Sequence, residues 1–599
     1  NLVFEHQGDT VTIVHIAHPA KYLLLPIQEG SKEGQVKLET GSPADTEMDI
    51  RLAIDSVEYY VPFALTQDEG GATVTIRNVA ADALCWDSIK VSDTFDTTNR
   101  DKFRPLYHHT PLYGWMNDAN GLVYKDGEYH LYFQHNPYGS MWGNMHWGHS
   151  VSKDLVHWEH LDPAIVRDTL GHIFSGSAIV DKNNSAGYGE NTIIAFYTSH
   201  RNVPGGQSQV QSMAYSTDNG RTYTKYEQNP VLTPFDGLQN FRDPKVFWYE
   251  PEQKWIMIVS ADKNMRFYSS ANLKQWEYMS EFGEGFGPQP NQFECPDFIQ
   301  LPVDGDRSKM KWVMIVNINP GFVYGGSGTM YFVGDFDGHR FVCDTKPEVV
   351  KWLDWGKDHY ATVCFSNTDN RIVAVPWMSN WQYANYTPIQ QFRSANALPR
   401  ELSLYTGEDK QLYLSAAPVK ETENLRKDSK KLDDFTVNGE KRFETLFENN
   451  DGAFELELTS AGKEAGFELL NSLGEKVRIY LDAAEGRVVM DRAESGIIDF
   501  GKKVKPHDLD TEESYARYKE VTVNYKNDFA LGTWAPINTA KGHKVQVFVD
   551  NGSVELFVDG GRIAMTNLVF PNEPYNSLRF YSEGGEMKIS DFTIYKLGL

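Results

Sequence analysis

Three acidic residues stand in short stretches whose neighbours pin the backbone around them. Asp118 lies in Trp115-Met116-Asn117-Asp118-Ala119-Asn120-Gly121, Asp243 in Asn240-Phe241-Arg242-Asp243-Pro244, and Glu294 in Phe293-Glu294-Cys295-Pro296-Asp297. A carboxylate held in place serves as a nucleophile or as a general acid and base. Each acid also has a structural reading. Asp-Ala-Asn-Gly has turn chemistry, because Asp and Asn side chains bond to nearby backbone and Gly accepts positive φ. An Arg-Asp dipeptide is commonly an ion pair, and Glu-Cys-Pro suits the end of a strand. The acids become chemically interesting only if the fold brings them together.

The elements that must do so are strands. Aromatic residues make up 13% of the 599 residues, a bias that suits strands and also supplies flat platforms for sugar rings. From about residue 103 a loose repeat recurs: Ser152-Lys153-Asp154-Leu155-Val156-His157-Trp158, then Ser216 to Tyr223, then Ser270-Ala271-Asn272-Leu273-Lys274-Gln275-Trp276, with the aromatics 65 and 53 residues apart. Between the copies lie hairpin patterns such as Leu122 to Tyr132 around Asp126-Gly127. A repeat of this length built from hairpins fits propeller blades of about four strands, in which sequence-distant turns converge on one end of a central channel. The spacing predicts a five-bladed β-propeller over 103–415. Alternating runs in 1–100 predict a small accessory β-domain, bounded by the polar stretch 93–100. Residues 416–439 read as a linker with a short helix over 419–432, and 440–599 as a β-sandwich, with a hairpin at Asn551-Gly552 and a reversal at Asp559-Gly560-Gly561. The expected class is all-β.

Together with Trp147-Gly148-His149-Ser150 and Phe174-Ser175-Gly176-Ser177, the three acidic stretches resemble glycoside hydrolase family 32, which holds invertases, inulinases, levanases and fructan exohydrolases. Asp354-Trp355-Gly356-Lys357-Asp358, Trp377-Met378-Ser379-Asn380-Trp381 and Leu398-Pro399-Arg400-Glu401-Leu402 extend the match, and Val554 to Val558 resembles the family's C-terminal sandwich. One departure is Ala119, where the family usually has proline; the expected effect is a looser turn without changed chemistry. The resemblance implies retaining hydrolysis of terminal β-fructofuranosides of inulin or levan, and of sucrose. Asp118 would be the nucleophile, Glu294 the acid/base and Asp243 the stabiliser of the transition state, with Arg242 beside Asp243 holding its geometry. Two such carboxyls about 5–5.5 Å apart act by double displacement through a covalent intermediate. A negative neighbour, Asp118 or Asp297, would keep Glu294 protonated. Asn117, Gln134, Trp142, Phe174, Ser175 and Trp355 match positions that line the family's fructose pocket.

Other classes are set aside on composition. A net charge of −25, with no Lys/Arg-rich run, repels nucleic acid. No stretch approaches the roughly 20 apolar residues of a membrane span. Cys85, Cys295, Cys343 and Cys364 form neither a disulfide framework nor a C-x-x-C pair. His108, His109, His146 and His149 have no carboxylate at metal-ligand spacing, so neither a metal nor another cofactor is expected. The chain opens at Asn1 without a methionine or an apolar leader; its address is read as removed, and the expected location is secreted, periplasmic or cell-surface. Rival readings are an endo-acting levanase or inulinase, a fructosyltransferase, and a non-catalytic fructan-binding protein. The last would be signalled by loss of an acid, and all three are present.

Overall fold

The computed structural model describes residues 1–66, 70–98, 101–462, 464–500 and 528–599. Part of the expected boundary (99–100) and part of the expected sandwich (501–527) lie outside the described residues. Regular structure is almost entirely strand, and helical pieces such as Cys85–Ser88 are short. The N-terminal unit packs a five-stranded sheet against a three-stranded one, around a core that includes Val14, Leu25, Val36, Val61 and Val74.

Next comes the propeller. Its first three sheets begin with Gly114–Lys125, His172–Asp181 and Phe241–Tyr249, and each runs outward through antiparallel neighbours. The fourth, beginning with Phe293–Val303, is continuous with strands Tyr360–Cys364, Val373–Trp377 and Arg400–Thr406 through a parallel contact between Val303 and Leu404. The starting strands and Tyr360–Cys364 neighbour one another in a closed ring, the last returning to Gly114–Lys125. Phe392–Arg393 adds to the first sheet in parallel, opposite Gly114 and Trp115, and so ties late chain to early chain.

The sequence repeat has a structural cause. In the first three sheets it links the third strand to the outermost strand. Ser152 Oγ accepts the N–H groups of Asp154 and Leu155, Ser216 Oγ those of Asp218 and Gly220, and Ser270 Oγ those of Asn272 and Leu273. Asp154 and Asn272 then accept the next two amides of their turns. A side chain thus replaces the ladder partners that the turning backbone has lost. The Asp126-Gly127 hairpin is as expected: both residues have positive φ, 50° and 81°, which matches the twist of the flanking strands. Asn551-Gly552 also joins a two-residue hairpin. It does so without positive φ at either residue, because Asp550 and Asn551 are committed to backbone groups of residues 104–108.

The linker reading needs correction. Only Lys420–Leu425 is helical, as a 3₁₀ turn, and Arg426–Leu432 and Phe435–Phe443 are strands paired with the long strand Ser577–Leu597. The charged run Arg426-Lys427-Asp428-Ser429-Lys430-Lys431 is an exposed edge, where charge guards a strand against further pairing. The sandwich therefore begins before residue 440, and its core gathers Phe454, Leu456, Phe467, Val547, Leu556 and Phe580.

Candidate active site

The stretch Trp115 to Gly121 is not a turn. All seven residues are buried within the strand Gly114–Lys125, and Ala119 pairs with Phe133. The absence of proline at 119 therefore loosens no turn; it leaves a strand residue in its ladder. The register slips between Met116 and Ala119, an interval that holds Asp118, and again between Asn120 and Val123, where Gly121 takes φ +56°. A Cβ at Gly121 would lie 2.6 Å from the Tyr132 ring and 2.7 Å from Trp147, so glycine is required there.

Each ring strand is irregular at the same level. Register shifts fall between Ile173 and Gly176, Arg242 and Lys245, Glu294 and Asp297, and Tyr360 and Val363. These intervals hold Phe174 and Ser175, Asp243, Cys295 and Ala361. Asp243 has φ 69°, Cys295 φ 45° and Ala361 φ 53°, a left-handed backbone that side-chain-bearing residues seldom adopt. Bulges re-aim side chains, and strain of this kind concentrates where the surrounding structure imposes it. The regular alternation of a strand would send some of these groups into the sheet packing.

The result is one cluster. Carboxylate oxygens of Asp118 and Asp243 and the Cys295 sulfur lie within 4.8 Å of one another. Asp118 accepts hydrogen bonds from Ser175 Oγ at 2.6 Å, from Cys295 Sγ at 3.2 Å and from Asn117 Nδ2 at 3.2 Å. Asp243 accepts the Cys295 N–H at 2.9 Å, and its own N–H reaches Thr198 Oγ1. Glu294 accepts the Tyr360 hydroxyl at 2.5 Å and Arg242 Nη2 at 3.2 Å. The ion pair of Arg242 is therefore with Glu294 from the next sheet, rather than with its chain neighbour Asp243. Gln209 and Asn240 accept from Nη1 of the same guanidinium.

Burial and like charge act together here. The Asp118 carboxyl is raised, first by burial and then by Glu294, against the pull of its three donors. Asp243 is pushed up to about 7 by burial; Arg242 opposes the rise, and Asp118 and Glu294 add to it. Near neutral pH Asp243 is therefore partly protonated. Burial and the adjacent carboxylates hold Cys295 well above its ordinary range, so it is a thiol and donates. Asp297 plays a different part from the one expected. Its carboxylate pairs with Lys245 at 3.3 Å and accepts the Cys364 N–H, inside the packing behind the site.

A cavity of about 480 Å³ opens onto the cluster, lined by Asn117, Asp118, Gln134, Trp142, Phe174, Ser175, Arg242, Asp243 and Glu294. Gln134 is fixed through its Nε2 by Asn120 and Ile173. Trp142 stacks on His172 and meets Phe174 edge-on, and Phe174 lies flat on His200 at 4.2 Å between ring centres. Burial lowers His200 to about 4, so it is neutral at physiological pH.

Trp355 is absent from this lining. Its backbone N–H bonds to Ala564 O and its ring packs against the sandwich core. Asp354 and the close approach of Gly356 to Thr566 clamp this segment onto the sandwich, so it cannot face the cavity. Trp381 takes a place in the wall instead, stacked on Trp115 at 5.8 Å. Its stretch, Trp377 to Trp381, is distinctive in the sequence, but nothing local in it says that Trp381 faces the cavity. His200, Gln207, Gln209, Gln292 and Asn385 are further lining residues with no local signal of their own, and Asn240 joins them from the stretch that carries Asp243. The histidines considered as metal ligands each have a packing role: His108 lies between Asp550 and Glu555, His109 between Asn396 and Ser150, His146 on Asn144 O, and His149 on His130. A larger cavity of about 900 Å³ on the sandwich is lined by ion-paired groups such as Glu440 and Arg579, and has no aromatic platform.

Comparison with known proteins agrees with this fold. A family model described as Glycosyl hydrolases family 32 N-terminal domain matches residues 108–416, and one described as Glycosyl hydrolases family 32 C terminal matches 421–596. Residues 8–107 match a Domain of unknown function (DUF4980). The chain is 42% identical to a levanase of Bacillus subtilis (strain 168), over 84% of this chain and 72% of that one. It is 36% identical to Invertase 2 of Saccharomyces cerevisiae, over 79% of this chain and 90% of that one. The crystal structure of an exo-inulinase from Aspergillus awamori superposes with a TM-score of 0.72 at 33% identity, covering 84% of this chain and 99% of that one.

Proposed function

The chain belongs to glycoside hydrolase family 32, and from that premise we propose that it is a retaining β-fructofuranosidase releasing fructose from the ends of inulin- or levan-type fructans and from sucrose. The observation that carries this reading is the convergence of three acids from three separate ring strands on one aromatic-walled cavity. Asp118 attacks the anomeric carbon. Its three hydrogen-bond donors orient the carboxylate and stabilise it as the leaving group of the second step. Glu294 delivers a proton to the departing oxygen and then takes one from water; Tyr360 and Arg242 fix its two oxygens. Asp243 hydrogen-bonds the fructosyl hydroxyls as charge develops. Asn117, Gln134, Trp142, Phe174, Ser175 and Arg242 shape the fructosyl pocket, and residues 103–415 form the catalytic unit. Its reading as five blades rests on the ring of strands closing after Tyr360–Cys364.

An extracellular or cell-surface location suits a substrate that is a polymer; no described helix is long and apolar enough to cross a membrane. Fructose as the sole early product on inulin and levan is the expected outcome, whereas a ladder of oligomers would assign endo action. The mechanism is tested with Glu294→Ala. Hydrolysis of fructan should fall severely, and the first step on fructosyl fluoride, which needs little acid help, should survive far better. Added azide should release the stalled ester as β-fructosyl azide, after two inversions. An α-azide product would sink the retaining mechanism, and equal damage on fluoride and fructan would remove Glu294 from the acid's place.

A further inference from the structure

The wall residue Trp142 sits on the connection between strands Glu128–Asn136 and His146–Ser152, in Tyr138-Gly139-Ser140-Met141-Trp142-Gly143-Asn144. Two glycines on a loop, and an indole 40% exposed at the cavity edge, make a poor platform unless something outside the loop holds it. Asn385 Oδ1 accepts the backbone N–H of Trp142 at 2.9 Å, and the N-terminal unit holds the loop on both sides of the tryptophan. Ahead of the tryptophan, Tyr138 packs on the N-terminal core against Phe63, with ring centres 5.7 Å apart. Ser140 donates its N–H to Tyr59 Oη at 2.9 Å and its hydroxyl to Glu29 Oε1 at 2.6 Å. Glu29 is itself buried and paired with Arg393 at 3.2 Å. Beyond the tryptophan, the Asn144 side chain reads the Asp49 backbone at both ends: Oδ1 accepts its N–H at 2.8 Å and Nδ2 donates to its carbonyl at 2.7 Å.

We infer that the N-terminal unit positions Trp142, through Tyr59, Glu29 and the Asp49 backbone, as a substrate-binding wall of the catalytic cavity. The unit contributes no atom to the chemistry. It removes the disorder that the loop would otherwise lose on binding sugar, so its effect falls on KM. This inference rests on the reading of the cavity as a fructoside site.

The test is a double-mutant cycle on the full-length chain. Tyr59→Phe and Glu29→Gln are each made alone and in a Trp142→Ala background, and kcat and KM are measured on inulin, levan and sucrose. Each N-terminal substitution should raise KM by about three- to tenfold, the scale of a lost positioning hydrogen bond, with kcat within about twofold of the parent. In the Trp142→Ala background the same substitutions should leave KM unchanged, because the residue they act through is gone. Equal KM increases in both backgrounds, or a lowered Tm with unchanged KM, would overturn the inference. Tyr59→Phe removes one hydroxyl, and it decides the matter if Glu29→Gln fails to fold. A parent inactive on all three substrates would overturn the functional reading and the inference with it; an active parent with additive substitutions would overturn the inference alone.

Discussion

At the scale of single residues, the site is a contest between burial and donors. Asp118 is raised by its surroundings and drawn back by Ser175, Cys295 and Asn117, which prepare it to carry negative charge as it attacks and leaves. Asp118→Asn should retain the fold, because amide and carboxylate are nearly isosteric, and reduce kcat below about a thousandth of the parent. Activity above that level in clean protein would return Asp118 to a structural role. Asp243 allows a test by stability. Its folded carboxyl, at about 7, lies above the ordinary carboxylate range, so it contributes stability at low pH that is lost as pH rises through about 7. Asp243→Asn keeps the neutral shape at every pH. Its Tm relative to the parent should therefore climb by a few degrees between pH 4 and pH 8, while kcat/KM is depressed by orders of magnitude. A pH-independent Tm difference would mean that the carboxyl is not held neutral by its site.

The strand is the next scale, and there one end is irregular for function while the other is regular for stability. The bulges at Asp118, Ser175, Asp243, Cys295 and Ala361 all lie at the cavity end. The serine-capped turns lie at the opposite end of their sheets: Ser270 pairs with Trp255, which pairs with Trp248, far along the ladder from Arg242 and Ser260. Ser270→Ala strips the partner from two turn amides and should cost about 1 kcal/mol, read by denaturant unfolding. Its kcat/KM should equal the parent's; a loss of activity would show that the two ends are not independent. The repeat was legible in the sequence because each cap is made within a few residues. The bulges were not, because a register shift depends on what the neighbouring strand presents.

Across the whole molecule, buried charge joins the parts. His108, at the start of the propeller, lies between Asp550 and Glu555 of the sandwich, and Arg400 joins Glu555 to Asp354. Burial alone would lower the imidazole, but the two carboxylates outweigh it and hold His108 up to about 9. Its contribution to stability is thus fully present below the ordinary histidine value and is lost as pH rises through about 9. His108→Gln should lower Tm strongly at pH 6 and much less at pH 10. An equal deficit at both pH values would show that shape, rather than charge, is what matters there.

The sequence by itself determined the strand-rich class and the repeat, because those signals are local: alternation and turn chemistry. Its three acids stand in short motifs, and the pocket residues Asn117, Gln134, Trp142, Phe174, Ser175 and Arg242 follow only from the family resemblance that those motifs carry. Tertiary structure decided the rest. Trp355 and Trp381 sit in equally distinctive stretches, and only the docking of Gly356 on Thr566 turns the former toward the sandwich. The same holds for Arg242, whose partner is an acid 52 residues away rather than its neighbour. Arg426–Leu432 reads as a charged linker until Ser577–Leu597 is there to pair with it. In each case the deciding partner is distant in the chain. Which of several possible contacts forms is set by how the sheets pack, and no window of sequence contains that information.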